Sequence, residues 1–135
     1  MEKDFAMSDA VLEHANITVN DVAKTADMLC ELFDWKVRWK GEVGASIHGG
    51  LSWHVGAKNS YLALFSMGGT KKPTNSYVTP GGLNHIGIVV DDLDLVEKRV
   101  VAMGFTPTSH ADYEPGRRFY FDDDDGIEFE VVSYR

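Results

Sequence analysis

An internal repeat constrains this chain more than any other feature. The segment Leu12-Glu13-His14-Ala15-Asn16-Ile17-Thr18-Val19-Asn20-Asp21-Val22 aligns without a gap on Leu83-Asn84-His85-Ile86-Gly87-Ile88-Val89-Val90-Asp91-Asp92-Leu93, at a constant offset of 71 positions. Leu, His, Ile, Val and Asp coincide. Two copies at so long a period do not make a solenoid, so the repeat implies two similar modules closing one domain. A chain of 135 residues has room for one domain only. The expected organisation is a single domain over 1–135: module one over about 10–66, a linker over about 67–82 rich in Gly, Lys, Pro, Thr and Ser, and module two over about 83–135.

Each copy opens with period-two alternation rich in Ile and Val, the pattern of a strand with two unlike faces. Ala15, Ile17 and Val19 share one face, and His14, Asn16 and Thr18 the other; in the second copy Ile86, Ile88 and Val90 oppose His85, Gly87 and Val89. A helix follows each strand. Val22, Ala26, Leu29 and Phe33 recur at helical spacing after Asn20-Asp21, as do Leu93, Val96, Val100 and Met103 after Asp91-Asp92, with Gly104 as a stop. Further strands are expected at 35–39, 47–55 and 60–66, and at 105–109, 117–122 and 127–133. The fold class is therefore α+β, with two βαβββ modules.

If the helices cover the aliphatic face of each sheet, the opposite faces line whatever space the sheets enclose. Burying Ile127, Phe129 and Val131 turns Glu128, Glu130 and Val132 inward; burying Phe119 and Phe121 turns Arg118 and Tyr120 inward; burying Leu62 and Leu64 turns Tyr61, Ala63 and Phe65 inward. One concave cleft is then expected to carry His14, His85, Glu130, Tyr120, Arg118 and Tyr61. Two imidazoles and a carboxylate with open positions suit a catalytic divalent metal, Fe(II), Mn(II) or Zn(II). Repeat-related histidines converge on a pseudo-twofold axis, and an inward Glu130 needs a partner that an ion would supply. Glu128, nearer the hairpin, reads as a rim residue.

Composition excludes several partners. A formal net charge of −8, from 21 acidic and 13 basic residues, opposes binding to nucleic acid or an anionic membrane, since phosphate contacts need a basic face. No run of eighteen apolar residues, the length a membrane-crossing helix needs, occurs. The lone Cys30 allows no internal disulfide, and Met1-Glu2-Lys3-Asp4-Phe5 lacks the apolar core of a signal peptide, so a cytoplasmic location is expected. A chain this long buries roughly two-thirds of its unfolded surface, so a bound metal would be functional rather than a folding aid. The run Asp122-Asp123-Asp124-Asp125-Gly126 fails the calcium-loop register, because Phe121 and Val132 stand where acidic residues should, and reads as a solvated turn. His48, His54 and His110 lack repeat partners and are assigned no metal role.

Three stretches together resemble the vicinal oxygen chelate superfamily of glyoxalases, bleomycin-resistance proteins, fosfomycin-resistance thiol transferases and extradiol dioxygenases. They are Leu12-Glu13-His14, Leu83-Asn84-His85, and Phe119 through Asp122-Asp123-Asp124-Asp125-Gly126 to Glu130, with Asp124 in place of the proline usual in the family. The resemblance implies a glyoxalase-like domain whose metal is held by His14, His85 and Glu130. It also implies a small-molecule substrate, with a homodimer as an open option. Tyr120 is then the catalytic candidate for donating a hydrogen bond or moving a proton, and Arg118 or Tyr61 the candidates for orienting substrate. Where glyoxalase-type isomerases carry a fourth ligand this chain has Ala63, which disfavours isomerisation and leaves a lyase, thiol transferase or dioxygenase. The stretch Thr108-Ser109-His110 with Phe119-Tyr120 and Glu130 is also similar to the extradiol signature, with one residue too many after His110. The alternative is a metal-free binding protein of the bleomycin-resistance type.

Overall fold

The computed structural model describes residues 9–43, 49–69, 75–113 and 116–135. Module one runs β1 (His14–Thr18), α1 (Val22–Phe33), β2 (Lys36–Lys40), β3 (Leu51–Gly56) and β4 (Tyr61–Ser66). Module two runs β5 (Ile86–Val89), α2 (Leu93–Ala102), β6 (Thr108–Tyr113), β7 (Gly116–Asp122) and β8 (Glu128–Ser133). The repeat extends to the caps. Asp21 accepts the Lys24 amide at the start of α1, and its repeat partner Asp92 accepts the Leu95 amide at the start of α2, so each helix begins at the same position of the copied motif.

The sheets share one topology, β1-β4-β3-β2 and β5-β8-β7-β6, in which the first strand pairs in parallel with the last. Both β1 and β5 therefore lie at a sheet edge. The expected alternation holds: Ile17, Leu62, Leu64 and Val55 enter the core beneath α1, and Ile88, Phe119, Phe121, Phe129 and Val131 enter it beneath α2. The β6 segment departs from expectation, starting at Thr108 rather than 105, because Phe105 turns inward onto Phe121 at 5.6 Å and so belongs to the core-packed connection leaving α2. In β3, which starts at Leu51, the expected residues 47 and 48 lie outside the described residues.

The modules join through their helices. α1 packs on α2, Phe33 meets Phe129 at 6.3 Å, and Arg99 of α2 bonds the Leu32 carbonyl and the Asp34 carboxylate beyond the end of α1. The turn between β7 and β8 adds ties to the start of α1: Lys24 pairs with Asp124 at 3.2 Å, and Asp125 accepts the Asn20 amide. Among the described residues no strand of one module lies alongside a strand of the other. The faces carrying His14, Asn16 and Thr18 and carrying His85, Gly87 and Val89 are exposed.

The acidic run forms the expected turn, with one correction. Asp123 is buried rather than solvated, and its Oδ1 accepts the amides of Asp125 and Ile127, closing the turn from within. Gly126 adopts φ 82°, a left-handed backbone that glycine enters without steric cost. Burial outweighs the two amides and pushes the Asp123 carboxyl up to about 6.

Candidate functional site

The register of module two brings one cluster together. Across the β7–β8 pair Tyr120 faces Glu130 and Arg118 faces Val132, while His85 stands just before β5, which runs parallel to β8. His85 Nε2 lies 3.1 Å from Glu130 Oε1, and Arg118 donates to the other oxygen, Oε2, at 2.7 Å; Arg118 and Glu130 are each only 12% exposed. Arg118 also donates to the Gly116 carbonyl, so its guanidinium fixes Glu130 in place. Tyr120 meets the His85 ring edge-on, with centroids 5.7 Å apart. His85 Nδ1 donates to Asn84 Oδ1 at 2.7 Å. With Nδ1 engaged by Asn84, Nε2 faces a carboxylate oxygen, an approach that either a ring proton or a cation between the two atoms makes favourable. Imidazole and carboxylate are donor types that suit a divalent metal, and Asn84 is the partner placed to orient the imidazole.

Sequence reading missed part of this cluster. Tyr77, in the linker, donates its hydroxyl to Glu128, which pushes the phenol up to about 12. Tyr77, Asn84, His85, Ser109, Tyr120 and Glu128 line a small cavity of about 170 Å³. Ser109 reaches it from a register shift in β6, with φ 53°, a left-handed backbone uncommon outside glycine. Linker composition announces a turn and says nothing of where a tyrosine within it lands. Glu128, expected at the rim, is half-buried and lines this cavity.

Module one builds a second, separate cluster. His14 Nδ1 donates to Glu13 Oε1 at 2.8 Å, repeating the Asn84–His85 arrangement, and the Tyr61 hydroxyl donates to the same oxygen. The hydrogen bond from His14 is the leading cause that lowers the Glu13 carboxyl, while desolvation, then Glu13, raises the Tyr61 phenol. Tyr61 stacks on His14 at 4.8 Å and on His54 at 4.5 Å, and His54 meets Trp39 at 4.8 Å. Desolvation, then repulsion by His14 and Arg38, lowers the His54 imidazole, favouring its neutral form. Ala63 pairs with Asn16 as Glu130 pairs with Gly87, so the repeat does place it where module two has its carboxylate, but neighbouring side chains leave it only 3% exposed.

The single cleft expected from sequence is thus two clusters within one chain. His85, Glu130, Arg118 and Tyr120 come together; His14 and Tyr61 stand apart from them, and among the described residues no three His, Cys, Asp or Glu side chains meet in a metal-holding group. The reason is that the modules join through helices and an acidic turn, leaving each inward face open. The larger cleft, about 830 Å³, runs between residues 16–20, the linker and residues 122–128, and includes none of His14, His85 and Glu130. His110 pairs with Glu97 on α2, away from both clusters. No helix among the described residues is long and apolar enough to cross a membrane.

Comparison with known proteins agrees with this architecture. The chain aligns over 93–97% of its length with solved structures of the same fold. A glyoxylase/bleomycin resistance protein/dioxygenase domain from Frankia sp. EAN1pec is 25% identical over 95% of this chain and all of its own, with a TM-score of 0.76. The fosfomycin resistance protein FosX from Mesorhizobium loti is 25% identical, covering 93% of this chain and 92% of its own, with a TM-score of 0.70. FosX from Listeria monocytogenes, solved in complex with Mn(II) and sulfate, is 20% identical over 93% of both chains, with a TM-score of 0.71. No curated protein sequence matches. The family model for the Glyoxalase/Bleomycin resistance protein/Dioxygenase superfamily spans residues 11–131, from the strand that opens the first module to the one that closes the second, and the chain belongs to that superfamily.

Proposed function

We propose that this protein is a metal-dependent vicinal oxygen chelate enzyme acting on a small molecule that offers two neighbouring oxygens, with lyase, thiol transferase or dioxygenase chemistry. The observation that carries this reading is the approach of His85 Nε2 to Glu130 Oε1 at 3.1 Å while His85 Nδ1 is committed to Asn84. A FosX solved with Mn(II) on the same fold supports it. His14, His85 and Glu130 would hold the ion, which when bound would stabilise negative charge developing on the substrate oxygens. Arg118 locks the Glu130 carboxylate, Asn84 and Glu13 orient the two imidazoles, and Tyr120 is the residue placed to donate a hydrogen bond or move a proton. Arg118 and Tyr61, the candidates for orienting substrate, also hold Glu130 and Glu13 through their polar ends.

Because His14 lies in the other cluster, the trio is completed by a second copy: His14 of one copy meets His85 and Glu130 of the other in a homodimer. The open faces and the two sheet-edge strands, β1 and β5, leave room for such a pairing. The test is complementation. His14→Ala and Glu130→Ala homodimers should each lose high-affinity Mn(II) binding by calorimetry, whereas an equimolar refolded mixture should regain about a quarter of the sites, since half the dimers carry one intact site. No recovery, with dimers intact by light scattering, would refute the shared site. Absence of Mn(II), Fe(II) and Zn(II) binding by the unmutated chain would refute metal dependence. It would favour the second reading, a metal-free binding protein of the bleomycin-resistance type, for which the Arg118–Glu130 pair that already neutralises the carboxylate is the supporting observation.

A further inference from the structure

Module one carries an arrangement that extends well beyond the one proposed metal ligand it contains, His14. Rings cross the sheet in a row, His14 on β1, Tyr61 on β4, His54 on β3 and Trp39 on β2, with successive centroids 4.8, 4.5 and 4.8 Å apart. The first two pairs are stacked, at 11° and 27° between ring planes, and the third is tilted at 43°, so the rings run side by side across this open face. Two small residues flank the row: Gly56 lies opposite Tyr61, where an added Cβ would come within 2.4 Å of the Tyr61 backbone, and Ala63 lies opposite His54.

The edge strand adds charge to the row. The β2–β3 register shifts between Val37 and Trp39, so Arg38 is an extra residue in the ladder. The result is that Trp39 pairs with His54 while the Arg38 guanidinium sits 4.5 Å from the Tyr61 ring centre. Lys36, two residues earlier, pairs with Gly56 on the same face. Bulges of this kind re-aim side chains and recur beside functional sites. The Glu13 carboxylate, the negative group of this face, is at the β1 end and already receives two hydrogen bonds.

Aromatic rings attract a further ring, offset-stacked or edge to face, and a guanidinium attracts an acidic group. A row of rings with a guanidinium beside it recognises a ligand that is both π-rich and anionic. We propose that this face binds a planar aromatic acid, its ring against Trp39 and His54 and its acidic group on Arg38. This deepens the functional reading above, on which it rests for taking the ligand as substrate: the substrate of the neighbouring centre is an aromatic anion rather than a small aliphatic one.

The test uses the full chain stripped of metal and titrated with 2-naphthoate and with cyclohexanecarboxylate, read by calorimetry and tryptophan fluorescence. Naphthoate should bind about tenfold or more tightly than the saturated acid. Arg38→Gln should weaken both acids by about tenfold and keep the ring preference, whereas Trp39→Leu should remove the preference. Both side chains are exposed, so the variants should fold, which circular dichroism checks. Equal affinity for the two acids, or variants that bind naphthoate as the unmutated chain does, would overturn the proposal. Mn(II) titration of the same samples separates the two ideas: naphthoate binding without Mn(II) binding removes the metal reading and keeps this one, and Mn(II) binding without a ring preference does the reverse.

Discussion

The inward faces of the two modules come from one repeated strand pattern and carry different chemistry. In module two, Glu130 stands opposite Gly87, draws Arg118 and His85 to its two oxygens and forms an ionic cluster; in module one, Ala63 stands opposite Asn16 and leaves its neighbours to pack as rings. The histidines themselves are handled alike, each held through Nδ1 by the residue before it, Glu13 in one copy and Asn84 in the other. The comparison teaches that the repeat preserved the backbone frame and the orientation of an imidazole while one carboxylate decided what gathered around it.

The largest expected effect comes from erasing that difference. Glu130→Ala should destabilise the protein by roughly 3 kcal/mol in denaturant unfolding, because it strands the largely buried Arg118 guanidinium, and should abolish high-affinity Mn(II) binding. A loss of metal binding without a loss of stability would show that Arg118 finds another partner. The mirror change, Ala63→Glu, writes the carboxylate of module two into module one. At a site 3% exposed it should cost roughly 1–3 kcal/mol by overpacking beneath His54, and in the dimer it should tighten Mn(II) binding by adding a fourth donor while suppressing turnover. Co(II) absorption spectra would report the change in coordination, and spectra indifferent to the substitution would show that residue 63 does not face the ion.

The turn of module two, which has no acidic counterpart after β3, offers a sharper contrast in pH. Asp123→Ala should cost roughly 1–3 kcal/mol by leaving the Asp125 and Ile127 amides without an acceptor, and Asp123→Asn should cost less because it keeps one. The folded Asp123 carboxyl titrates at about 6, above its ordinary value of 3.8, so between these pH values the native state holds a proton that the unfolded state has released. This group's contribution therefore falls as pH rises through 6. Unfolding free energies measured at pH 4, 5, 6 and 7 should show Asp123→Asn gaining on the unmutated protein as pH rises. A constant difference would place the carboxyl's titration elsewhere. The smallest effect is expected at Glu128→Gln, which leaves Mn(II) affinity nearly unchanged because Glu128 is committed to Tyr77 rather than to His85. A marked loss of affinity there would bring Glu128 into the ligand set.

Much of this architecture was legible in the sequence because it is written in local periodicities. Alternation fixed which residues of β1, β4, β7 and β8 enter the core, helical spacing fixed α1 and α2, and the offset of 71 positions fixed the repetition of the module down to the capping Asp21 and Asp92. His54, whose lack of a repeat partner argued against a metal role, was not among the residues assigned to the inward face, yet it stacks there on Tyr61. What the chain could not announce was how the two faces would stand to each other. That depended on contacts between residues remote in sequence: α1 on α2, Phe33 on Phe129, Arg99 on Asp34, and the acidic turn on Asn20 and Lys24. Nor could it show that a register shift at Arg38 would set a guanidinium on Tyr61, or that linker Tyr77 would reach Glu128. Periodicity reports which side of an element is buried, since burial averages over many neighbours; the meeting of two particular side chains is set by register, bulges and module packing, which only the assembled tertiary structure decides.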